Sequence, residues 1–533
     1  MKLSRYYHTL RYLKAEQICF QFYYKVCAKL RQLIVRRNRY ASYKAGNCIA
    51  FLPFPEKYIT YRGDNVFDFL NISHSFSGKW DDRSMGDLWR YNLNYMDFIL
   101  QPAMSAATGV EWIERFIASV HDNGIADDPY PISLRGINWI KFVSMHWDKL
   151  SQTLHRNIDT FLYSQYRILS TRTERHLLAN HYLENGFSLL FAAVYFQDKV
   201  FWQKAKRIVE KQLKEQILND GAHYELSPMY HCIILERLLD CYNLLHNADD
   251  CLFEGLLGVR TLLREKASAM LAWLDAIVTK DDSIPLLNDS ANGVALSPAK
   301  LREYAVRLGI EWGRSILGES GYRHIVHSHY EAVLDMAQLG VSYNLGHAHA
   351  DSSTFLLWVS GRELLVDTGT STYNAGVRRD YERSTYAHNA VVVNKKNSSQ
   401  VWGAFRCAQR AQAVIKEDGP VIFAVEHNGY SADGLRCCRR FVCNKTSFEI
   451  EDKLCGKMGY VAEAFFHLSP EVQVLRVDAD RVVTDRAVFI FEGHNSITLT
   501  KKHVSYEYNI LQPADCIQVS FSDALHTIIE NFC

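Results

Sequence analysis

Residues 344 to 355 read NLGHAHADSSTF, which sets His347, His349 and Asp351 at alternate positions just ahead of the apolar run FLLWV. A two-residue spacing is the repeat of an extended strand, so a strand over 346–359 predicts the three polar side chains on one face. The polar end of such a strand is a sheet edge that opens onto a site. The next segment, GRELLVDTGTSTYN, turns at Ser360 and Gly361 and brings Asp367 back alongside. A three-residue loop would put Asp367 on the face of His349, and a two-residue loop on the other. His388 follows in RSTYAHNAVVVN. Two imidazoles and a carboxylate on neighbouring strands suit a tetrahedral Zn2+ site, with His349, Asp367 and His388 as ligands. The alternative is a hydrogen-bonded His/Asp cluster at a sheet edge.

Two further stretches carry chemistry. HLLANHYLENG sets Asn180, His181 and Glu184 within one helical turn, with His181 and Glu184 side by side at i, i+3. In HYELSPMYH, Ser227 is a natural N-cap and Pro228 a natural first helical residue, so Tyr230 belongs to a first turn, where the helix dipole favours a phenolate. A phenol acting as a base near neutral pH needs its anion stabilised by about 4 kcal/mol, more than a helix terminus supplies. His231 or Arg135 would have to contribute the rest. There is no Walker A loop, GxSxG elbow or HExxH helix.

These residues need a scaffold, and the chain has length for one: 533 residues, 48% hydrophobic and 22% charged, suit two or three globular domains. Sixty lysines and arginines against fifty-nine acids exclude a nucleic-acid binder that works through bulk charge. From about 85 to 280 apolar residues recur at helical spacing, as in YRILSTRTERHLLANHYLENGFSLLFAAVYF, with DDPYPISLRG and NDGAHYELSP as the loops between helical hairpins. After about 315 the texture becomes short alternating runs such as HNAVVVN, PVIFAVEHN, TSFEIEDKL and RVVTDRAVFIFEG, which predict an antiparallel sandwich. The thirteen cysteines form no CxxC pairs, and Cys437, Cys438 and Cys443 in a strand-like run read as free thiols of a reducing compartment.

Residues 1–45 mix Tyr, Phe and Leu with many cations. Lys14, Glu16, Lys25 and Lys29 interrupt any apolar core of a signal peptide, which predicts a cytoplasmic chain. The arm reads as a basic helix packed on the body, with an anionic membrane surface as the second reading.

Taken together, WRYNLNYMDF, PYPISLRGINWIKF, LLANHYLENG, DGAHYELSPMYH, LNDSANG, GHAHADSSTF, LLVDTGTSTYN, ERSTYAHNAVVVN, VWGAFR and the RRF, FEIEDKL and FHLSP series resemble the heparinase II/III-like family of polysaccharide lyases. The resemblance spans about residues 60 to 470. It implies an arm (1–45), an incomplete (α/α) toroid (46–314) and an antiparallel β-sandwich (315–533), with the active cleft between the last two. It implies β-elimination on an acidic polysaccharide or oligosaccharide. Asn180 and His181 would neutralise the uronate carboxylate, and Tyr230 and His347 would move protons. Arg135, Trp139, Tyr373 and Arg378 would line the substrate path with Glu184, which would orient His181 rather than touch substrate, while His349, Asp367 and His388 would hold a structural Zn2+, with no organic cofactor. A C5 epimerase and a non-catalytic glycan-binding protein are the competing expectations. Without an export signal, a place beside capsule or O-antigen metabolism at the inner membrane fits better than scavenging.

Overall fold

The computed structural model describes residues 2–34, 40, 42–457 and 459–532. Residues 35–39 and 41, the basic end of the predicted arm, lie outside the described residues.

Helices α1 (Lys2–Leu10) and α2 (Ala15–Ile34) form the arm and pack on the body. A small antiparallel sheet follows (Tyr61–Gly63, Val66–Phe69, Ile72–Ser75), which the helical reading of this half did not include. Its turns fall at Asp64-Asn65 and Leu70-Asn71, all four at positive φ, where asparagine is the most tolerant ordinary residue. The toroid is built from α3 (Asp87–Tyr95), α4 (Ala106–Ser119), α5 (Pro129–Met145), α6 (Gln152–Thr171), α7 (Ala179–Phe196), α8 (Lys199–Gln216), α9 (Pro228–His246), α10 (Leu256–Ile277) and α11 (Pro298–Arg307). Ser105, Ser151, Asp198, Ser227 and Ser297 each accept a first-turn N–H and so fix where α4, α6, α8, α9 and α11 begin. Helix α7 is buried along nearly its whole length, as its run LENGFSLLFAAVYF requires, and lies at the centre of the helical core.

DDPYPISLRG is not the loop expected. Pro129 and Pro131 occupy the first turn of α5, where a missing N–H leaves no helical bond unmade. Gly136 lies inside the same helix because any side chain there would strike the Tyr166 hydroxyl.

The second half is antiparallel, as the alternating runs predict. A four-stranded sheet (Tyr322–Val326, Tyr330–Asp335, Phe355–Val359, Arg362–Leu365) faces a ten-stranded one whose spine is the long hairpin Val488–Val504 and Gln512–Glu530. Phe355, Phe441, Phe448, Phe466 and Phe489 fill the space between the sheets. Val359 pairs with Arg362, so Ser360 and Gly361 make a two-residue turn, both at positive φ. Cys437 and Cys443 are buried free thiols of one strand. The two halves are joined by an apolar seam in which Trp273 and Ile277 of α10 meet Tyr322, Leu356 and Trp358. Among the described residues no helix is long and apolar enough to cross a membrane.

Candidate active site

Tyr230 stands where its helix start was predicted. Its N–H donates to Ser227 Oγ at 3.2 Å, and Ser227 in turn donates to the Asp289 carbonyl at 2.7 Å, which ties the start of α9 to the loop after α10. The phenol ring stacks on the His347 imidazole with centroids 3.8 Å apart and planes 18° from parallel. Its hydroxyl lies 3.4 Å from that of Tyr373. Tyr373, expected as a sugar contact, thus belongs to the same cluster, edge-on to Phe405.

The helix start does not by itself favour a phenolate at Tyr230. Burial raises the Tyr230 pKa well above the ordinary phenol value, and nearby Tyr508 adds to it, so the helix terminus does not prevail. Neither proposed helper assists. His231 faces the opposite way, its Nε2 3.0 Å from the Met270 carbonyl and its pKa pushed by burial down to about 3. Arg135 is buried and donates to the carbonyls of Asn94 and Ala126 and to Gln165.

His347 is anchored by a group that the sequence reading passed over. Its Nδ1 lies 2.5 Å from Glu225 Oε2, while Glu225 Oε1 accepts the Asn180 N–H at 3.0 Å. Burial works to raise Glu225, but the charge and hydrogen bond of His347, then His223 and the Asn180 amide, bring its pKa down to about 2. The carboxylate is therefore ionised at neutral pH and links the helical half to the sandwich half of the site. Asn180 Oδ1 is buried and has no partner among the described residues. His181 Nδ1 lies 3.1 Å from Glu174 Oε1, and its ring packs on Tyr130 at 4.5 Å. Burial opposes the charge of His181, but Glu174 outweighs it by charge and hydrogen bond, so the imidazole pKa is raised. Leu178 and Ala179, just before this pair, and Leu226, just after Glu225, all have positive φ. Strain of about 1–3 kcal/mol per such residue persists where the surroundings dictate the backbone.

Asn180, His181, Tyr230, His347 and Tyr373 are thus brought together, and other candidates are not. Trp139 is fully buried in the helical core with its Nε1 3.3 Å from Met96 Sδ. Glu184 pairs with Arg237 at 2.9 Å, inside a buried ionic network with Asp240 and Lys141, rather than hydrogen-bonding His181. Its spacing to His181 was right for contact, but Glu174 takes that place. Arg378 is held by Glu382 at 2.7 Å and by Ser371 at 3.3 Å, beside the cluster but committed to its own helix, α12 (Val377–Glu382).

The polar stretch GHAHADSST is not a strand. Pairing begins only at Phe355, and residues 346–354 are irregular, so the alternation rule does not apply to them. Their backbone is spent on other loops: the His347 carbonyl accepts from the Asp289 N–H, the His349 N–H donates to Asn288 and the Ala350 N–H to Arg383. His347 therefore turns to Tyr230, while His349 and Asp351 turn to His388.

One ligand atom from each of His349, Asp351 and His388 lies within 4.8 Å of the others. His349 Nδ1, Asp351 Oδ2 and His388 Nε2 are buried without hydrogen-bond partners among the described residues. The other nitrogens are already engaged, His349 Nε2 by Asp289 at 2.9 Å and His388 Nδ1 by Asp367 at 2.7 Å. Asp367, expected as a ligand, instead accepts from His388 and from the Gly369 N–H. Burial and neighbouring carboxylates raise the pKa of Asp335, and burial raises that of Asp351 against the pull of His388. Two imidazole nitrogens and a carboxylate oxygen, unpaired and each oriented by a carboxylate or backbone neighbour, fit a divalent transition metal.

Glu225, Glu174, Tyr130, Asp289 and Arg379 are the residues that sequence reasoning missed, and Asp351, singled out by its spacing, was not expected as a ligand. Glu225 and Asp289 lie within the notable stretches DGAHYELSPMYH and LNDSANG, and an acid inside each of them was the available signal. Tyr130 likewise lies within PYPISLRGINWIKF, whereas nothing local marks Glu174.

Residues 159–306 match the family model described as Heparinase II/III N-terminus, and 311–529 match Heparinase II/III-like, C-terminal, together more than half of the chain. A heparin-sulfate lyase of Bacteroides stercoris is 22% identical over 315 residues, 52% of this chain. That match spans only 44% of the relative's own length. Among solved structures, a heparan sulfate lyase from Pedobacter heparinus is similar over 88% of this chain and 81% of its own, with 17% identity and a TM-score of 0.54. A crystal structure of heparinase III is similar over 83% and 76%, with 16% identity and a TM-score of 0.60. At such identities the likeness is one of fold, and activity must be argued from the site.

Proposed function

The chain belongs to the heparinase II/III-like family, and from that premise we propose that it is a polysaccharide lyase cleaving a uronic-acid-containing glycan by β-elimination. One observation carries the reading: the stacked Tyr230–His347 pair is joined through Glu225 to the Asn180–His181 pair across the two domains.

A uronate C5 proton is hardly acidic beside an ionised carboxylate, because its removal would place a second negative charge on the same group. His181, held cationic by Glu174, and the Asn180 amide neutralise that carboxylate and take up the charge that develops during reaction. Tyr230 is uncharged at rest, so it serves as proton donor to the oxygen leaving C4. His347 has Nδ1 committed to Glu225, which makes Nε2 the basic nitrogen and steadies the imidazolium formed when it takes the C5 proton. The proton moves from C5 to His347, its electron pair becomes the C4–C5 double bond, the C4–O bond breaks, and the Tyr230 proton ends on the leaving oxygen.

Incubation with a panel of uronate glycans is expected to give the ultraviolet absorbance of the new double bond. The required His181 cation persists above the ordinary histidine range because its pKa is raised. The contribution of that cation is therefore lost as pH rises through the raised value, which sets the alkaline limb of the rate profile. Deuterium uptake at C5 without absorbance would overturn the lyase reading in favour of an epimerase.

His349, His388 and Asp351 would hold a Zn2+ ion, with Asp289 and Asp367 orienting the two imidazoles. Bound there, the ion supplies charge compensation to a buried carboxylate cluster and braces the sandwich wall behind His347. Elemental analysis is expected to find about one zinc per chain. Chelation should lower the thermal midpoint, and Asp351→Asn should lose metal while Arg302→Gln, at a residue that pairs with Asp275 and Asp282 and not with the cluster, keeps it. Metal-free protein with an unchanged midpoint would end this assignment.

A further inference from the structure

The N-terminal arm presents its faces in the reverse of the usual order. On α2, Gln17 is buried and donates to the carbonyls of Leu177 and Tyr343, Tyr24 donates to the Thr173 carbonyl at 2.6 Å, and Phe20 lies under Arg175. Ile18, Phe22 and Val26, four residues apart along one stripe, face away from the body, with Phe22 72% exposed. On α1, Tyr7 is 65% exposed and Leu10 51%. A surface helix ordinarily buries its apolar stripe; here the inward face is held by polar and aromatic contacts while the aliphatic stripe meets solvent.

The charge of the segment indicates its occupant. Residues 2–44 carry eleven lysines and arginines against one acid, Glu16. Since the whole chain has sixty against fifty-nine, the remainder is acidic on balance. A second copy would set one cationic arm against another. An apolar stripe on a segment of this charge suits a surface that is negatively charged and admits apolar side chains. We propose that the outward face of α1 and α2 docks this protein on an anionic lipid bilayer. The inward face clasps residues 173–177, just before Asn180, and Tyr343, just before His347. Docking therefore holds the cleft rim about one helix diameter, ~10 Å, from the lipid.

Co-sedimentation of the full chain with vesicles tests this without reference to catalysis. Binding is expected with phosphatidylcholine vesicles containing phosphatidylglycerol, not with phosphatidylcholine alone, and it should weaken as salt rises. Ile18→Ser with Phe22→Ser should reduce partitioning about tenfold or more, since both side chains would leave the lipid. Lys25→Glu, which removes no apolar surface, should weaken binding to the anionic vesicles. Three results would overturn the proposal: no binding to anionic vesicles at low salt, equal binding by the double-serine protein, or a dimer that the same change dissolves while vesicles stay unbound.

Discussion

Tyr230→Phe is expected to lower the rate of elimination by about 10² to 10⁴-fold while glycan binding stays within a few fold. The substitution removes only the hydroxyl. The ring remains stacked on His347, and the single bond lost is the long one to Tyr373 at 3.4 Å. What disappears is the proton that must reach the departing oxygen, a transition-state contribution that appears in kcat far more than in KM. Initial rates over a range of substrate concentrations decide it. A variant retaining more than about a tenth of the parent kcat would remove Tyr230 from the chemistry and leave it as a wall of the cleft.

The second large effect concerns stability. Asp289 accepts both Arg379 Nη1 and Nη2, at 2.5 and 2.7 Å, together with His349 Nε2 at 2.9 Å, and all three side chains are fully buried. Asp289→Asn leaves the Arg379 guanidinium without its counter-charge in a dry setting, which should destabilise the protein by about 3–5 kcal/mol. Burial alone would raise the Asp289 pKa, but the charge of Arg379, then His349, holds it far below the ordinary carboxylate range. A depressed folded-state pKa contributes stability above the unfolded value, about 4, that is lost only as pH falls through the folded one. The contribution is therefore intact at neutral and mildly acidic pH, and denaturant unfolding at pH 7 and pH 5 should show the same deficit for the variant. An Asp289→Asn protein as stable as the parent would mean that Arg379 is paired or hydrated otherwise.

Much of the architecture was legible because it rests on local rules. Alternation in TSFEIEDKL and PVIFAVEHN reappears as paired strands, and the serine and proline of ELSPMYH set the start of α9. Where the local signal misled, a competing local rule was at work. The prolines of DDPYPISLRG read as loop punctuation, yet a first helical turn accommodates proline equally well. The alternating HAHAD pattern read as a strand, yet its N–H and C=O groups bond to distant loops rather than to a sheet neighbour.

The sequence by itself determined two domains of different periodicity, and through the family resemblance that its motifs carry it named Asn180, His181, Tyr230, His347 and Tyr373. Only the tertiary structure decided which neighbours those groups meet. Glu174 rather than Glu184 charges His181, Glu225 orients His347, and Asp351 rather than Asp367 completes the histidine pair. Arg135 and Trp139 went to the core instead. The reason is physical: periodicity is written in residues a few positions apart, whereas the protonation state of a buried group depends on charges within a few ångströms, and here those come from segments as far apart as the 122 positions between Glu225 and His347.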